Sequence, residues 1–392
     1  MDLKEKIKQR ADALYSDVVG YRRHLHQNPE LSFHEEQTSA FVSERLTALG
    51  IKHQKGVAGF GVVGIIEGKN PESKIRALRA DMDALPINEV NDVSYKSKHI
   101  GVMHACGHDA HTASLLGAAQ ILNELKSEWN GTIKLLFQPA EEKLPGGASL
   151  MIKEGVLKNP DIQFMHGQHV MPQIPAGKVG FRSGLYMAST DELYVTVNGK
   201  GGHGAMPHLN IDPVLIASHI IVALQQVVSR TANPIIPSVL SFGKVIANGA
   251  TNVIPNEVYL EGTFRTLDEK WRGEAHLRMK QMAEDMAKAM GGTCDFEIRK
   301  GYPFLYNDET LTAINKKLAQ DYLGDENVID LDIWMAAEDF AYYSQVVPSC
   351  FYRLGTRNEA RGIDSSVHTP TFDIEEEALK VGVGLMAWIA VN

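Results

Sequence analysis

Four short, almost unbroken apolar runs mark the first half of the chain, at residues 61–67, 75–80, 131–138 and 162–165. Each is bounded by glycine, proline or charge and is too short for a typical helix, so each reads as a buried strand. Between them, apolar positions recur at helical spacing over about 2–27 and 36–49 and near 147–154. A further helix opens at Asp109 and carries Ala113, Leu115, Leu116, Ala118, Ala119, Ile121 and Leu122. Helices alternating with buried strands predict a mostly parallel or mixed sheet covered by helices.

After Gly184 the pattern changes. Residues 192–198 alternate with period two, as a strand with one wet face does. Asp212-Pro213 supplies an N-cap and a first-turn proline, opening a helix to about Arg230. Strands follow at 238–247 and 256–266, then a long helix over 268–290 that stops at Gly291-Gly292, then a strand at 293–299. Strand, helix, strand, strand, helix, strand is the ferredoxin-like, split βαβ order. From about residue 302 the earlier alternation resumes, with a helix near 308–323, a strand at 350–354 and a helix at 374–390. The expected architecture is α/β. One domain, with a central mixed sheet flanked by helices, is built from residues 1–184 and 302–392. A ferredoxin-like α+β unit at 185–301 interrupts it.

Chemistry gathers at the strand ends. The run at 75–80 ends in Asp81-Met-Asp83, that at 131–138 in Pro139-Ala-Glu141-Glu142, and that at 162–165 in His166-Gly-Gln-His169. The carboxyl edge of an open α/β sheet is where ligands bind. Between the first two ends lies His104-Ala-Cys106-Gly-His108-Asp-Ala-His111, offering a thiol and three imidazoles. Such a set suits Zn²⁺, Mn²⁺ or a similar transition ion far better than Ca²⁺ or Mg²⁺. Cys106 and His108 are expected in the loop at a helix N-terminus, which favours the thiolate. The bland alternative is a histidine-rich loop beside a core helix, with each acidic pair merely solvated.

At 392 residues, 44% hydrophobic and 22% charged, the chain is of ordinary globular composition and long enough for two or three domains. A formal charge of −9 with no basic cluster argues against a nucleic-acid partner. No apolar run in the sequence approaches the ~18 residues of a bilayer span, so no membrane partner is expected. The N-terminal segment lacks a signal peptide's apolar core. Three cysteines, at 106, 294 and 350, do not describe a disulfide framework. A cytoplasmic location is the simplest expectation.

Six motifs together carry a family resemblance: Arg79-Ala-Asp-Met-Asp-Ala-Leu-Pro86, His104-Ala-Cys-Gly-His-Asp-Ala-His111, Phe137-Gln-Pro-Ala-Glu-Glu142, Gly199-Lys-Gly-Gly-His-Gly-Ala-Met-Pro-His208, Thr251-Asn-Val-Ile-Pro255 and Val367-His-Thr-Pro370. The chain resembles the amidohydrolase branch of the aminoacylase–carboxypeptidase family of dinuclear metallopeptidases, over essentially its whole length. That branch includes hippurate hydrolases, N-acetyl-diaminopimelate deacetylases and indole-acetyl-amino-acid hydrolases. The resemblance implies two divalent ions per chain, manganese or zinc, held by Cys106, His108, Glu142, His169 and His368. It further implies Glu141 as general base, Asp83 behind the ligands as the group that orients one of them, and a lid or dimerisation role for the inserted unit. The chain departs from the family at His166, where an apolar residue is usual and where a second imidazole competes with His169. His104 and His111 read as hydrogen-bonded neighbours of the site.

The expected reaction is hydrolysis of the amide of an N-acyl amino acid. The ions would lower the pKa of a water from ~15.7 toward ~7, and Glu141 would carry its proton to the departing amine. His203 would donate to the tetrahedral oxyanion, a contact worth roughly 3–4 kcal/mol. Family members place such a histidine in the partner subunit's site, so a homodimer is expected. Asn252 and Arg265 would grip the substrate carboxylate, the arginine through its planar fork. Three alternatives stand beside this reading. One is a dipeptidase or aminopeptidase-like hydrolase on the same site. Another is a Cys106–His108 nucleophile pair, and the third is a non-catalytic metal-dependent binding protein.

Overall fold

The four apolar runs form strands in one eight-stranded sheet. The computed structural model describes all residues, Met1–Asn392, and the chain divides into two compact units. The first comprises Met1–Tyr186, Tyr306–Ile333 and Asp339–Asn392; the second comprises Met187–Leu305 and Trp334–Glu338.

In the first unit the strand order is Lys52–Val57, Gly61–Glu67, Thr132–Gln138, Ile75–Asp81, Phe164–Pro175, Ser349–Arg357, Val179–Phe181, Val328–Asp330. The sheet is mixed. Ile75–Asp81 runs parallel to both of its neighbours, with Asp81 opposite Gln138 and Arg79 opposite Gly167. The carboxyl ends of three central strands therefore lie along one edge. Lys52–Val57 escapes the apolar pattern because it is a mostly exposed edge strand. The strand beginning at Phe164 does not stop before His166. Parallel pairing with Ser349–Arg357 carries it on through His169 to Pro175.

Helices His108–Glu124 and Ala378–Val391 lie against this sheet in one buried apolar cluster. Gly117 permits the close approach, since a β-carbon there would sit 2.8 Å from Val18 and from Val383. The expected first helix is two, Leu3–Ala13 and Tyr15–Gln27, separated at Leu14.

The second unit is an antiparallel sheet ordered Ser238–Ile246, Glu257–Thr266, Asp191–Asn198, Thr293–Lys300, with helices Pro213–Gln226 and Glu269–Ala289. Numbered by appearance the strands lie 2-3-1-4, which is the split βαβ arrangement. Alternation puts Leu193, Val195, Val197, Val258, Leu260 and Phe264 into its core. Asp212 and Asp268 cap the two helices through their side chains. One correction concerns length and apolarity. With the π turn that extends it, Pro213–Thr231 is a helix long and apolar enough to cross a membrane by those two measures. It buries Ile216, Ala217, Ile220, Leu224 and Val227 in the sheet-and-helix core.

Candidate active site

Two imidazoles at the sheet edge, those of His108 and His169, are each held at Nδ1 by a neighbour that turns Nε2 into the pocket. Gly107 comes first: its φ of +85° and a position where a β-carbon would meet Val170 Cγ2 at 2.4 Å both require glycine. The helix starts one residue later, so His108 is its first helical residue and Cys106 stays in the loop. His108 Nδ1 lies 3.2 Å from Asp83 Oδ1 and donates to it, and its Nε2 is buried with no hydrogen-bond partner. His169 Nδ1 donates to the Val170 carbonyl at 2.6 Å, so its Nε2 faces the Cys106 sulfur at 3.4 Å. His368 Nε2 lies 3.3 Å from that sulfur and 3.1 Å from Glu142 Oε1. His108 Nε2 is 3.9 Å from the same Glu142 oxygen. Cys106, His108, Glu142, His169 and His368 thus form one pocket of a thiol, three imidazoles and a carboxylate.

Asp83 organises the acidic pair. Its Oδ1 accepts the amide of Glu141 at 3.0 Å, and its Oδ2 accepts the amide of Glu142 at 2.9 Å and the Ser32 hydroxyl at 2.6 Å. Glu141 is buried, and its Oε1 accepts the Asp339 amide at 3.3 Å.

The field here is strongly negative. Burial opposes a charge on His108, yet Asp81, Asp83 and Glu142 outweigh it and lift the imidazole to about 10. Burial and the carboxylates of Glu142, Glu141 and Asp81 push the Cys106 thiol far up. That reverses the expected preference for thiolate at a helix N-terminus, and it leaves a Cys106–His108 nucleophile pair without an activated sulfur. Burial and Arg353 hold His169 well below its usual range, as a neutral imidazole with a lone pair to offer. A buried His108 nitrogen without a partner, its proton held by surrounding carboxylates, and a thiol and a neutral His169 beside it form a donor set that fits divalent cations, which take the place of such protons.

The other histidines separate cleanly. His111 donates from Nδ1 to Asp81 at 2.6 Å and accepts the Val170 amide on Nε2 at 2.9 Å, so no lone pair remains for an ion. His166 is three residues from His169 in a strand and so points to the opposite face. There Asn315 lies 3.0 Å from its Nδ1. His104 is buried with neither ring nitrogen partnered, and burial lowers it to about 4. Asp109 pairs with Arg22 and His26 at 2.8 and 2.7 Å.

His203, Asn252 and Arg265 belong to the second unit. His203 and Asn252 are neighbours in a small exposed ribbon, where Val253 pairs with His203 and the Gly204 amide donates to the Asn252 carbonyl. His203 Nδ1 accepts the Ala205 amide at 3.0 Å, so Nε2 carries the proton. Arg265 lies near the far end of strand Glu257–Thr266, roughly 26 Å of extended chain from the end where the ribbon attaches. One chain therefore sets Arg265 and Asn252 at opposite ends of this sheet.

Sequence reasoning assigned nothing to Glu35, Ser32 or Arg79. The Glu35 carboxylate accepts the Ala140 amide at 2.7 Å. Buried Arg79 donates to Asp81, Asp339 and Gln138 at 2.6, 2.7 and 3.0 Å, which ties adjacent strands beneath the site. For Arg79 a signal existed, an arginine inside an otherwise apolar strand.

Residues 77–392 match the profile of the peptidase family M20/M25/M40. The chain is 42% identical over 366 residues to the N-acetyl-L-cysteine deacetylase of Bacillus subtilis, covering 93% of this chain and 85% of that one. It is 41% identical over 380 residues to the IAA-amino acid hydrolase ILR1-like 4 of Arabidopsis thaliana, covering 96% and 85%. Among solved structures, the YXEP protein of Bacillus subtilis, described as a dinuclear metal-binding peptidase of the M20 family, superposes with a TM-score of 0.81 at 33% identity, covering 97% and 98%. The chain belongs to the peptidase family M20/M25/M40.

Proposed function

We propose that the protein hydrolyses the amide bond of N-acyl amino acids with two divalent ions, manganese or zinc, held by Cys106, His108, Glu142, His169 and His368. The observation that carries the reading is the adjacency of Glu141 and Glu142: the Glu142 carboxylate lies 3.1 Å from His368, and that of Glu141 is buried beside it in the same cluster as His108, placed for proton transfer. Relatives that deacetylate N-acetyl-L-cysteine or hydrolyse IAA-amino acids support the substrate class. Bound ions supply Lewis acidity, polarising the carbonyl and acidifying a water. Glu141 takes the proton of the attacking water and returns it to the leaving amine nitrogen. Asp83 holds both glutamates by their amides and fixes the His108 tautomer. His203, protonated on Nε2, donates to the oxyanion. Asn252 and Arg265 bind the free carboxylate.

A small substrate does not reach both ends of the second unit's sheet, which supports a site completed by a second copy of the chain. The second unit also exposes Val214, Leu215 and Val222 on one helix and Val239, Val245 and Ile246 on its edge strand, apolar surface suited to self-association. Three buried free cysteines fit a reducing cytoplasm.

The test is turnover of N-acetyl, N-benzoyl and indole-acetyl amino acids with metal analysis. Chelation abolishes turnover and added Mn²⁺ or Zn²⁺ restores it. Glu141→Ala keeps its metal but loses about 10²–10⁴-fold in kcat, whereas Glu142→Ala also loses metal. Near-normal turnover by Glu141→Ala overturns the general-base role.

A further inference from the structure

We propose that Glu35 is a positioning residue for the catalytic pair: its carboxylate locks the left-handed turn at Ala140 from which Glu141 and Glu142 follow. The inference rests on the roles proposed above for those two glutamates.

Glu35 is the N-cap residue of helix Glu36–Ala48, yet its side chain does not cap that helix. Glu30 takes over there, accepting the Gln37 and Thr38 amides at 3.1 and 2.8 Å. The Glu35 carboxylate is instead completely buried. One oxygen accepts the Ala140 amide at 2.7 Å, and the other has no partner. A carboxyl group so placed is costly, because burial and the nearby Asp83 charge together raise it to about 7. Its return is local geometry. Ala140 has φ +53°, a left-handed conformation that a residue with a β-carbon adopts only at a cost. The Ala140 carbonyl accepts the Gly147 amide at 2.9 Å. Three successive amides, at 140, 141 and 142, therefore end on two carboxylates, Glu35 and Asp83, brought from separate parts of the chain. Successive amides around a left-handed residue make a concavity that binds negative oxygen. Asp83 secures two of the three, and Glu35 secures the residue that sets their direction.

The experiment compares Glu35→Gln, Glu35→Leu, Ala140→Gly and the Glu35→Leu/Ala140→Gly double variant. Readouts are kcat and KM on one acyl amino acid, metal affinity by competition with a chelator, and melting temperature. Glu35→Gln keeps the acceptor and is expected within about threefold of the parent in kcat and metal affinity. Glu35→Leu is expected to lose about 10–100-fold in kcat at unchanged KM and about tenfold in metal affinity. Glycine adopts positive φ freely, so Ala140→Gly is expected to restore at least about tenfold of the kcat lost in Glu35→Leu. Losses that simply multiply overturn the proposal, as does a Glu35→Gln as damaged as Glu35→Leu. If Glu35→Leu does not fold, Glu35→Gln decides: a loss beyond about tenfold at a melting temperature no lower than the parent's overturns it. A parent protein without metal-dependent turnover sinks the functional reading itself. An active parent with an indifferent Glu35→Leu sinks this inference alone.

Discussion

A carboxyl group held near pH 7 by burial and by Asp83 makes folding stability depend on pH in a definite direction. Folded Glu35 binds its proton more tightly than an ordinary glutamate, so between about pH 4.5 and 7 the folded chain carries the extra proton. Stability from this group is complete at low pH and falls as pH rises through that window. At about 1.4 kcal/mol for each pH unit between the two pKa values, the loss reaches up to roughly 3 kcal/mol above pH 7. Glu35→Gln cannot ionise there. Melted metal-free, it should match the parent near pH 4.5 and exceed it at pH 8; a constant difference would contradict the assignment. Glu35 also marks where sequence reading stops at this scale. Asp83, Cys106, His108 and Glu142 announce themselves by ligand chemistry in short motifs. Glu35 acts on a backbone amide 105 residues away, and no residue type signals that. Cys106 shows the converse: its helix position was legible, but the carboxylates that reverse its acidity arrive from other strands.

At the scale of elements, the strand Phe164–Pro175 puts the two histidines that spacing alone leaves in competition on opposite faces of the sheet. Strand period two sends residues three apart to opposite faces. His166 meets Asn315 across the sheet, and burial followed by Arg76 keeps it neutral, at about 3. His166→Leu should therefore leave metal content unchanged while His169→Ala lowers it, as elemental analysis of the purified variants will read. Loss of metal from both would mean that the ligand strand tolerates no change on either face. Apolar runs located the central strands because both faces of those strands are buried. Lys52–Val57 was invisible for the opposite reason, since its place in the sheet comes from pairing with Gly61–Glu67 and from little else.

For the whole molecule, the alternation of elements gave the layers of the first unit and the split βαβ order of the second. Strand order in the eight-stranded sheet was not legible, because it depends on pairings such as Phe164–Pro175 with Ser349–Arg357, nearly two hundred residues apart. If His203 serves a second copy's site, two differently inactivated chains should repair each other. Mixing His203→Ala with Glu141→Ala under conditions of demonstrated subunit exchange should yield hybrids with one intact site and measurable turnover. Exchange without recovery would confine His203 to its own chain or to no catalytic role.

The order of the segments also sets a schedule for synthesis. The second unit has its four-stranded sheet complete once residue 300 has been made, while the first still lacks its strand Ser349–Arg357, His368 and the helix Ala378–Val391. At about 5–20 residues per second the remaining stretch takes on the order of 5–20 s. Through that interval the nascent chain holds Cys106 without His368, and the apolar face of His108–Glu124 without the helix Ala378–Val391 that packs on it. The candidate metal pocket thus gains its last side chain, His368, only after the second unit's sheet has been made in full.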